Sequence, residues 1–144
     1  MKIGCLLNSQ GNNRLTDAAL LFLRVLIGTL MLSHGWGKLT NFEQLATVFP
    51  DPIGLGSTVA LVLILFAEVF CSILIILGLF TRLAAIPLIV GMGVAFFVIH
   101  GADPFQAKEL AFLNMGLFAI VLISGAGYFS LDQIIVSKCK SCNK

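Results

Sequence analysis

The sequence predicts an all-α fold, a transmembrane four-helix bundle with a short interfacial helix between helices 1 and 2. Four apolar stretches predict the bundle. Ala18 to Trp36, Ser57 to Phe80, Leu83 to Ile99 and Leu110 to Phe129 are each long, or nearly long, enough to supply the roughly 20 helical residues that cross a hydrocarbon core. Composition agrees: the 144 residues are 58% hydrophobic and 11% charged, with a mean hydropathy of +1.02, against about 25% charged residues in ordinary soluble domains. A water-soluble core of this size has no room for four such stretches, whereas lipid accepts their apolar sides directly. The runs are also continuous, unlike the roughly ten-residue alternating segments of a membrane barrel, which selects helices over strands. The expected organisation is an N-terminal segment over residues 1–17, one membrane domain over 18–132 and a short tail over 133–144.

The N-terminal segment has one early lysine and only a brief apolar run before its polar stretch, so it lacks the long apolar region of a cleavable signal peptide. Helix 1 itself is expected to act as the insertion signal. Under four crossings, Lys2, Arg14, Arg82, Lys138, Lys140 and Lys144 fall on one face and Lys38 and Lys108 on the other. This asymmetry predicts cytoplasmic termini. The opposite face carries Glu43, Asp51, Asp103 and Glu109, and a net charge of +2 gives no reason to expect a nucleic-acid partner. Cys5, Cys139 and Cys142 would then lie in a reducing compartment, where no disulfide framework is expected, while Cys71 reads as a small packing residue.

Each element has its own local signals. Thr16 or Asp17 is the expected cap of helix 1, which rises through Arg24 and Gly28 to His34 and an interfacial Trp36. Thr40 to Glu43 has the spacing of a capping box, and Phe42, Leu45, Ala46 and Phe49 recur at helical intervals, which predicts the interfacial helix, ended by Pro50 and Pro52. Its aromatic face would lie against the membrane or over the outer mouth of the bundle. Helices 2 and 3 are separated by little more than Thr81 and Arg82 and should form a tight antiparallel hairpin. Pro87 is a candidate bend in helix 3, and Gly91 and Ala95 form a small-residue pair that admits a neighbouring backbone. A turn-like connector from His100 to Pro104 leads to Lys108 and Glu109 at the opening of helix 4, which ends near Gly125.

Two charges stand inside the apolar stretches. Arg24 and Glu68 each occupy positions where insertion costs about 3 kcal/mol even on lenient scales. At 1.5 Å rise per residue, Arg24 sits about 9 Å and Glu68 about 17 Å above the inner ends of their stretches, a gap an arginine side chain spans, so a buried Arg24 to Glu68 ion pair is expected. Such a pair can be functional or can simply fix helix register; if Arg24 instead reached the inner surface, Glu68 would be left protonated. His34 and Lys38 stand one turn apart at the outer end of helix 1. The topology brings His100 and the connector from Asp103 to Glu109 to the same face, which predicts an outer polar cup. Histidine exchanges protons near neutral pH, and a lysine among aromatic groups can hold the polar head of a quinone or an anion. Two histidines without tight ligand spacing do not predict a metal site. The Cys139 and Cys142 pair, with basic neighbours, reads either as a redox or metal motif or as an incidental tail.

These pieces occur together in a familiar order: Arg24, Ser33-His34-Gly35-Trp36-Gly37-Lys38-Leu39, Glu68, Gly78 to Ala85, and Gly125 to Asp132. From about Leu15 to Asp132 the chain resembles the DoxX family of small bacterial and archaeal membrane proteins, departing from it at Tyr128, where relatives often carry a basic residue. The resemblance implies four helices and a bacterial plasma-membrane location. It also implies an association with quinone-reactive respiratory complexes or with membrane assemblies that counter oxidative and thiol stress. Matched by position, its polar residues are Arg24, His34, Lys38, Glu68 and Arg82; His100 and Glu109 are added from topology. The chain carries no haem ligand pair at bundle depth, no iron-sulfur pattern and no dinucleotide fingerprint.

The leading expectation is therefore a subunit or accessory of an oxidoreductase system that binds a quinone-like or other small amphipathic molecule beside a catalytic partner. Arg24 and Glu68 would form the buried floor, Lys38, His34 and His100 would meet the headgroup, and His34 is the candidate proton carrier. Arg82 and Glu109 would serve structure or a partner, with Arg82 facing anionic lipid. A noncatalytic scaffold or a small-solute carrier is the alternative. Self-association is compatible with four short, apolar helices.

Overall fold

The described residues of the computed structural model are 13–135 apart from Ile53. Expectations placed on Cys5, Cys139, Cys142 and the terminal lysines lie outside the described residues. The helices are α1 (Asn13–Thr40), α2 (Phe42–Leu45), α3 (Ser57–Leu65), α4 (Ser72–Leu77), α5 (Thr81–Val94) and α6 (Phe105–Ser124). A π-helical turn, Phe66–Cys71, joins α3 to α4, and a second, Ala95–Ile99, extends α5. Four spans long and apolar enough to cross a membrane result: Arg14–Thr40, Ser57–Leu77, Thr81–Ile99 and Phe105–Ser124. There is no strand among the described residues, and the all-α four-helix architecture stands.

The first span starts earlier than its apolar stretch, because Arg14, Leu15 and Thr16 include no helix breaker and extend the helix outward. Asp17 is therefore inside α1 and does not cap it; its carboxylate accepts the Tyr128 N–H at 2.9 Å instead. The capping box is not formed either. Thr40 ends α1, and its hydroxyl donates back to Trp36 O and Gly37 O, leaving α2 a single turn without a side-chain cap. The connector beyond it is held by Asp51, which accepts the Leu55 and Gly56 N–H groups at 3.1 and 2.6 Å, and by Thr58 Oγ1 donating to Ala46 O.

Gly78, Leu79 and Phe80 form the hairpin turn, so Thr81 and Arg82 open the third span rather than link it. Gly78 takes the left-handed conformation at φ 69°, with Gly78 N donating to Ile75 O and Leu79 N to Leu74 O, a closure that needs a residue without a Cβ. Phe80 is also left-handed, at φ 47°. Its N–H, the Thr81 N–H and the Thr81 hydroxyl all donate to the Asp132 carboxylate, which caps α5 from far along the chain.

Packing between spans rests on close contact, since apolar burial drives helices together only weakly when the alternative is lipid. Gly28 and Gly35, seven residues apart on one face of α1, let the second span approach: an added Cβ would lie 2.5 Å from Ile76 Cγ1 and 2.9 Å from Glu68 Cβ, respectively. Gly91 accommodates the Ile64 side chain rather than a backbone. Ile27, Met31, Cys71, Ile75, Leu88, Phe118 and Val121 fill the interior, and large apolar residues such as Phe22, Phe97 and Ile123 face outward. The third and fourth spans pack along their length, as do the first and second.

A candidate ligand site at one end of the bundle

Glu68 is 2% exposed and sits in the π-helical turn of the second span. Its partner is Lys38, whose ammonium donates to Glu68 Oε1 as an ion pair. Side chains on a helix lean toward its N-terminus, so Lys38, near the C-terminal end of α1, is directed back into the bundle rather than out to the interface. One turn earlier, Gly35 removes the side chain that would separate α1 from Glu68.

This arrangement replaces the expected Arg24 to Glu68 pair. The antiparallel register sets Gly35 beside Glu68, Gly28 beside Ile76 and Arg24 beside Gly78. Arg24 and Glu68 are thus separated along the bundle by about 16 Å, the rise of the helix from Arg24 to Gly35, which no arginine bridges. The inner ends of the apolar stretches do not share a common level, because α1 extends well past the end of α4.

The Lys38–Glu68 pair opens onto a cavity of about 810 Å3 built from all four spans. Met31, Ile64, Val90 and Leu110 are among its apolar walls, while His34, His100 and Asn114 add polar groups. Phe49, Pro50 and Pro52, from the chain between the first two spans, also line it. Both π-helical turns contribute, through Phe66, Ala67 and Glu68 on one side and Ala95 and Ile99 on the other. Such turns widen a helix locally and recur at functional sites. Glu68 Oε2 is buried and has no hydrogen-bond partner among the described residues.

His34, Lys38, Glu68 and His100 are therefore brought together around one space. His100 Nδ1 is 2.7 Å from Asp103 Oδ2, and Lys108 donates to Gly101 O at 2.9 Å with its ammonium 5.2 Å from the Phe96 ring centre, so the connector is internally tied. Glu109 is exposed and does not line the cavity. Asn114, 4% exposed, carries no sequence signal beyond being polar within an apolar helix.

Arg24 belongs to the opposite, hairpin end. It is fully buried, lies against Gly78, donates from Nη2 to Phe129 O at 2.5 Å and experiences the charge of Asp132. Arg82 also acts there, donating to Ile123 O at 3.3 Å and lying over Gly125, which closes the C-terminal end of α6. No group of three or more His, Cys, Asp or Glu side chains capable of holding a metal ion occurs among the described residues.

Comparisons with known proteins agree with this architecture. The chain is 36% identical over 130 residues to an uncharacterized protein of Haemophilus influenzae, covering 83% of this chain and 92% of that one. It is 31% identical over 135 residues to an uncharacterized membrane protein of Mycobacterium tuberculosis, covering 83% of each. It is 26% identical over 130 residues to the inner membrane protein YqjF of Escherichia coli, covering 87% of this chain and 98% of that one. No solved structure matches. The DoxX family model matches residues 19–101, which include Arg24, His34, Lys38, Glu68 and Arg82, and the chain is a membrane protein of the DoxX family.

Proposed function

We propose that the protein binds a quinone-like amphipathic molecule in the cavity and serves as the membrane subunit of an oxidoreductase system. The observation that carries this reading is a carboxylate and ammonium pair set in the wall of a largely apolar cavity at the connector end of the bundle. Small-molecule sites commonly combine apolar walls with a few convergent polar groups. Lys38, 30% exposed, retains donors for a carbonyl oxygen of the head, and Glu68 offers an acceptor. His34 lines the same space and is exposed, which suits passage of a proton between the head and bulk water. Electrons would be exchanged with a partner subunit, because the proposed role of this chain is to hold and orient the molecule.

The same proposal places the chain in a bacterial plasma membrane with both termini cytoplasmic and the His34 end outside. The basic-residue asymmetry supports this orientation, and the turning of Lys38 into the bundle leaves still less positive charge on the outer face. Reporter fusions at both termini and in the connector around Asp51 test it, with opposite signals from termini and connector expected.

Binding of a short-tailed quinone to purified protein, with and without co-purifying partners, tests the site. Saturable binding that weakens at least about tenfold in Lys38→Met supports the proposal. Absence of binding in both preparations overturns it. The scaffold reading is favoured instead if a partner complex keeps full activity with His34→Ala and Lys38→Ala, and the carrier reading if proteoliposomes show solute flux.

A further inference from the structure

We infer that the cavity selects an amphiphile by a hydroxyl on its head, which donates to Glu68 Oε2, and that the apolar tail leaves the cavity sideways into lipid between the second and third spans. The inference rests on the cavity's being the binding site proposed above, and it specifies the head chemistry and the route.

The hydrogen-bond inventory sets the head. Glu68 Oε1 is taken by Lys38, while Oε2 is buried without a partner among the described residues, on a residue that lines the cavity. An unpaired buried carboxylate oxygen is a strong acceptor left unused, and filling it requires a donor. A head with only carbonyl or ether oxygens cannot supply one. A hydroxyl can, and its own oxygen remains available to Lys38.

The walls set the route. Leu63 and Phe66 of the second span and Val90 of the third line the cavity, yet they are 48%, 49% and 58% exposed. Side chains that are both lining and half-exposed mark an opening, and at this depth in membrane-crossing helices the opening faces lipid. Ile64 meets Gly91 across the two spans. Outside its own span α3 packs chiefly against α1 and the α2 turn. At the polar end, Phe49, Pro50 and Pro52 narrow the approach from water. A tailed molecule already dissolved in the bilayer can therefore place its head at Glu68 while its tail stays among lipid chains.

Two sources share this chemistry, a reduced quinone and a long-chain alcohol, and matched probes separate them. Equilibrium binding to the full-length protein in nanodiscs is measured for decyl-quinol, the corresponding quinone and its dimethyl ether, and for dodecanol and methyl dodecyl ether. The expected result is tighter binding of the hydroxyl member of at least one series by about tenfold. Preference for dodecanol with no binding by the quinone series supports the hydroxyl rule and overturns the quinone reading. Equal binding of quinol, quinone and ether overturns the hydroxyl rule and leaves quinone-class binding standing, and binding of no probe overturns both. In Glu68→Gln, with the amide oxygen kept by Lys38, an NH2 donor takes the place of Oε2, and the preference should reverse toward the quinone or ether; an unchanged preference overturns the assignment to Glu68. Val90→Trp should weaken binding of the tailed hydroxyl probe but not of tailless hydroquinone, and equal weakening of both overturns the lateral route.

Discussion

The two ends of the bundle handle a buried charge in opposite ways. At the hairpin end, Arg24 is enclosed against Gly78 and donates from Nη2 to Phe129 O, with its Nε and Nη1 buried without a partner among the described residues, near an Asp132 carboxylate that is itself engaged by Phe80 and Thr81. At the other end, Glu68 is tied to Lys38 through one oxygen, its second oxygen is buried without a partner among the described residues, and the residue lines a cavity. A charge in a membrane protein is costly wherever it lies, so enclosure and exposure to a cavity are different uses of the same expense. Enclosure crosslinks three parts of the chain, whereas a partly satisfied carboxylate beside a cavity keeps capacity for something that enters it.

This contrast predicts unequal consequences of substitution. Arg24→Leu should have the largest effect, because it removes the donor to Phe129 O and strips Asp132 of a nearby positive charge. A loss of about 3 kcal/mol is expected, at the upper end of the range for a hydrogen bond made by a charged group. Thermal unfolding in detergent should show it as a large fall in Tm, while any protein that remains folded should bind cavity ligands normally. Comparable stability to the parent protein would mean that the enclosure does not hold the hairpin end.

Asp132→Ala comes next, with an expected loss of about 2 kcal/mol, because three donors at the start of α5 lose their acceptor. Asp132→Asn should recover part of it by keeping one carbonyl oxygen. Protease sensitivity of the turn around Phe80 provides a local readout, expected to rise in the alanine variant more than in the asparagine variant.

How much of this was legible in the sequence differs between the ends. Apolar run length gave four helices, and the small number of residues between runs gave the tight hairpin, because both follow from distances a chain must cover. The grouping of His34, Lys38 and His100 followed from antiparallel topology alone. The partner of Glu68 did not, because it depends on the register between two helices, and that register is set by Gly28 and Gly35, whose absent side chains leave no pattern of their own. Asp132 is legible in the sequence only as the last residue of the Gly125 to Asp132 block. Its capping role spans 51 residues of sequence to Thr81, a separation that local motifs cannot encode. The π-helical turns are likewise invisible to hydropathy, since they alter one turn without altering composition.

Gly35→Ala probes the register directly. The new methyl group would come within 2.9 Å of Glu68 Cβ and 2.8 Å of Val69 Cγ2, so the first two spans must separate. Overpacking of this kind costs about 1 to 3 kcal/mol. Its particular signature should be a weaker Lys38 to Glu68 coupling in a double-mutant cycle of Lys38→Met and Glu68→Gln, measured in the Gly35→Ala background and in the parent. An equal coupling in both backgrounds would mean that Lys38 follows Glu68 whatever the helix spacing.

The smallest effect is expected at the His100 and Asp103 pair, which lies in the connector at the cavity end and is 42% and 48% exposed. Exposed pairs contribute at most about 1 kcal/mol and are screened by salt. His100→Ala should therefore leave thermal stability nearly unchanged, in contrast to Arg24→Leu. It should still alter ligand binding, because His100 lines the cavity and the pair orders the turn that precedes α6. A stability loss as large as that of Asp132→Ala would contradict the division between an enclosed end that maintains the fold and an open end that receives a ligand. Unchanged stability with altered binding would sharpen it, since the residue would then act through the cavity alone.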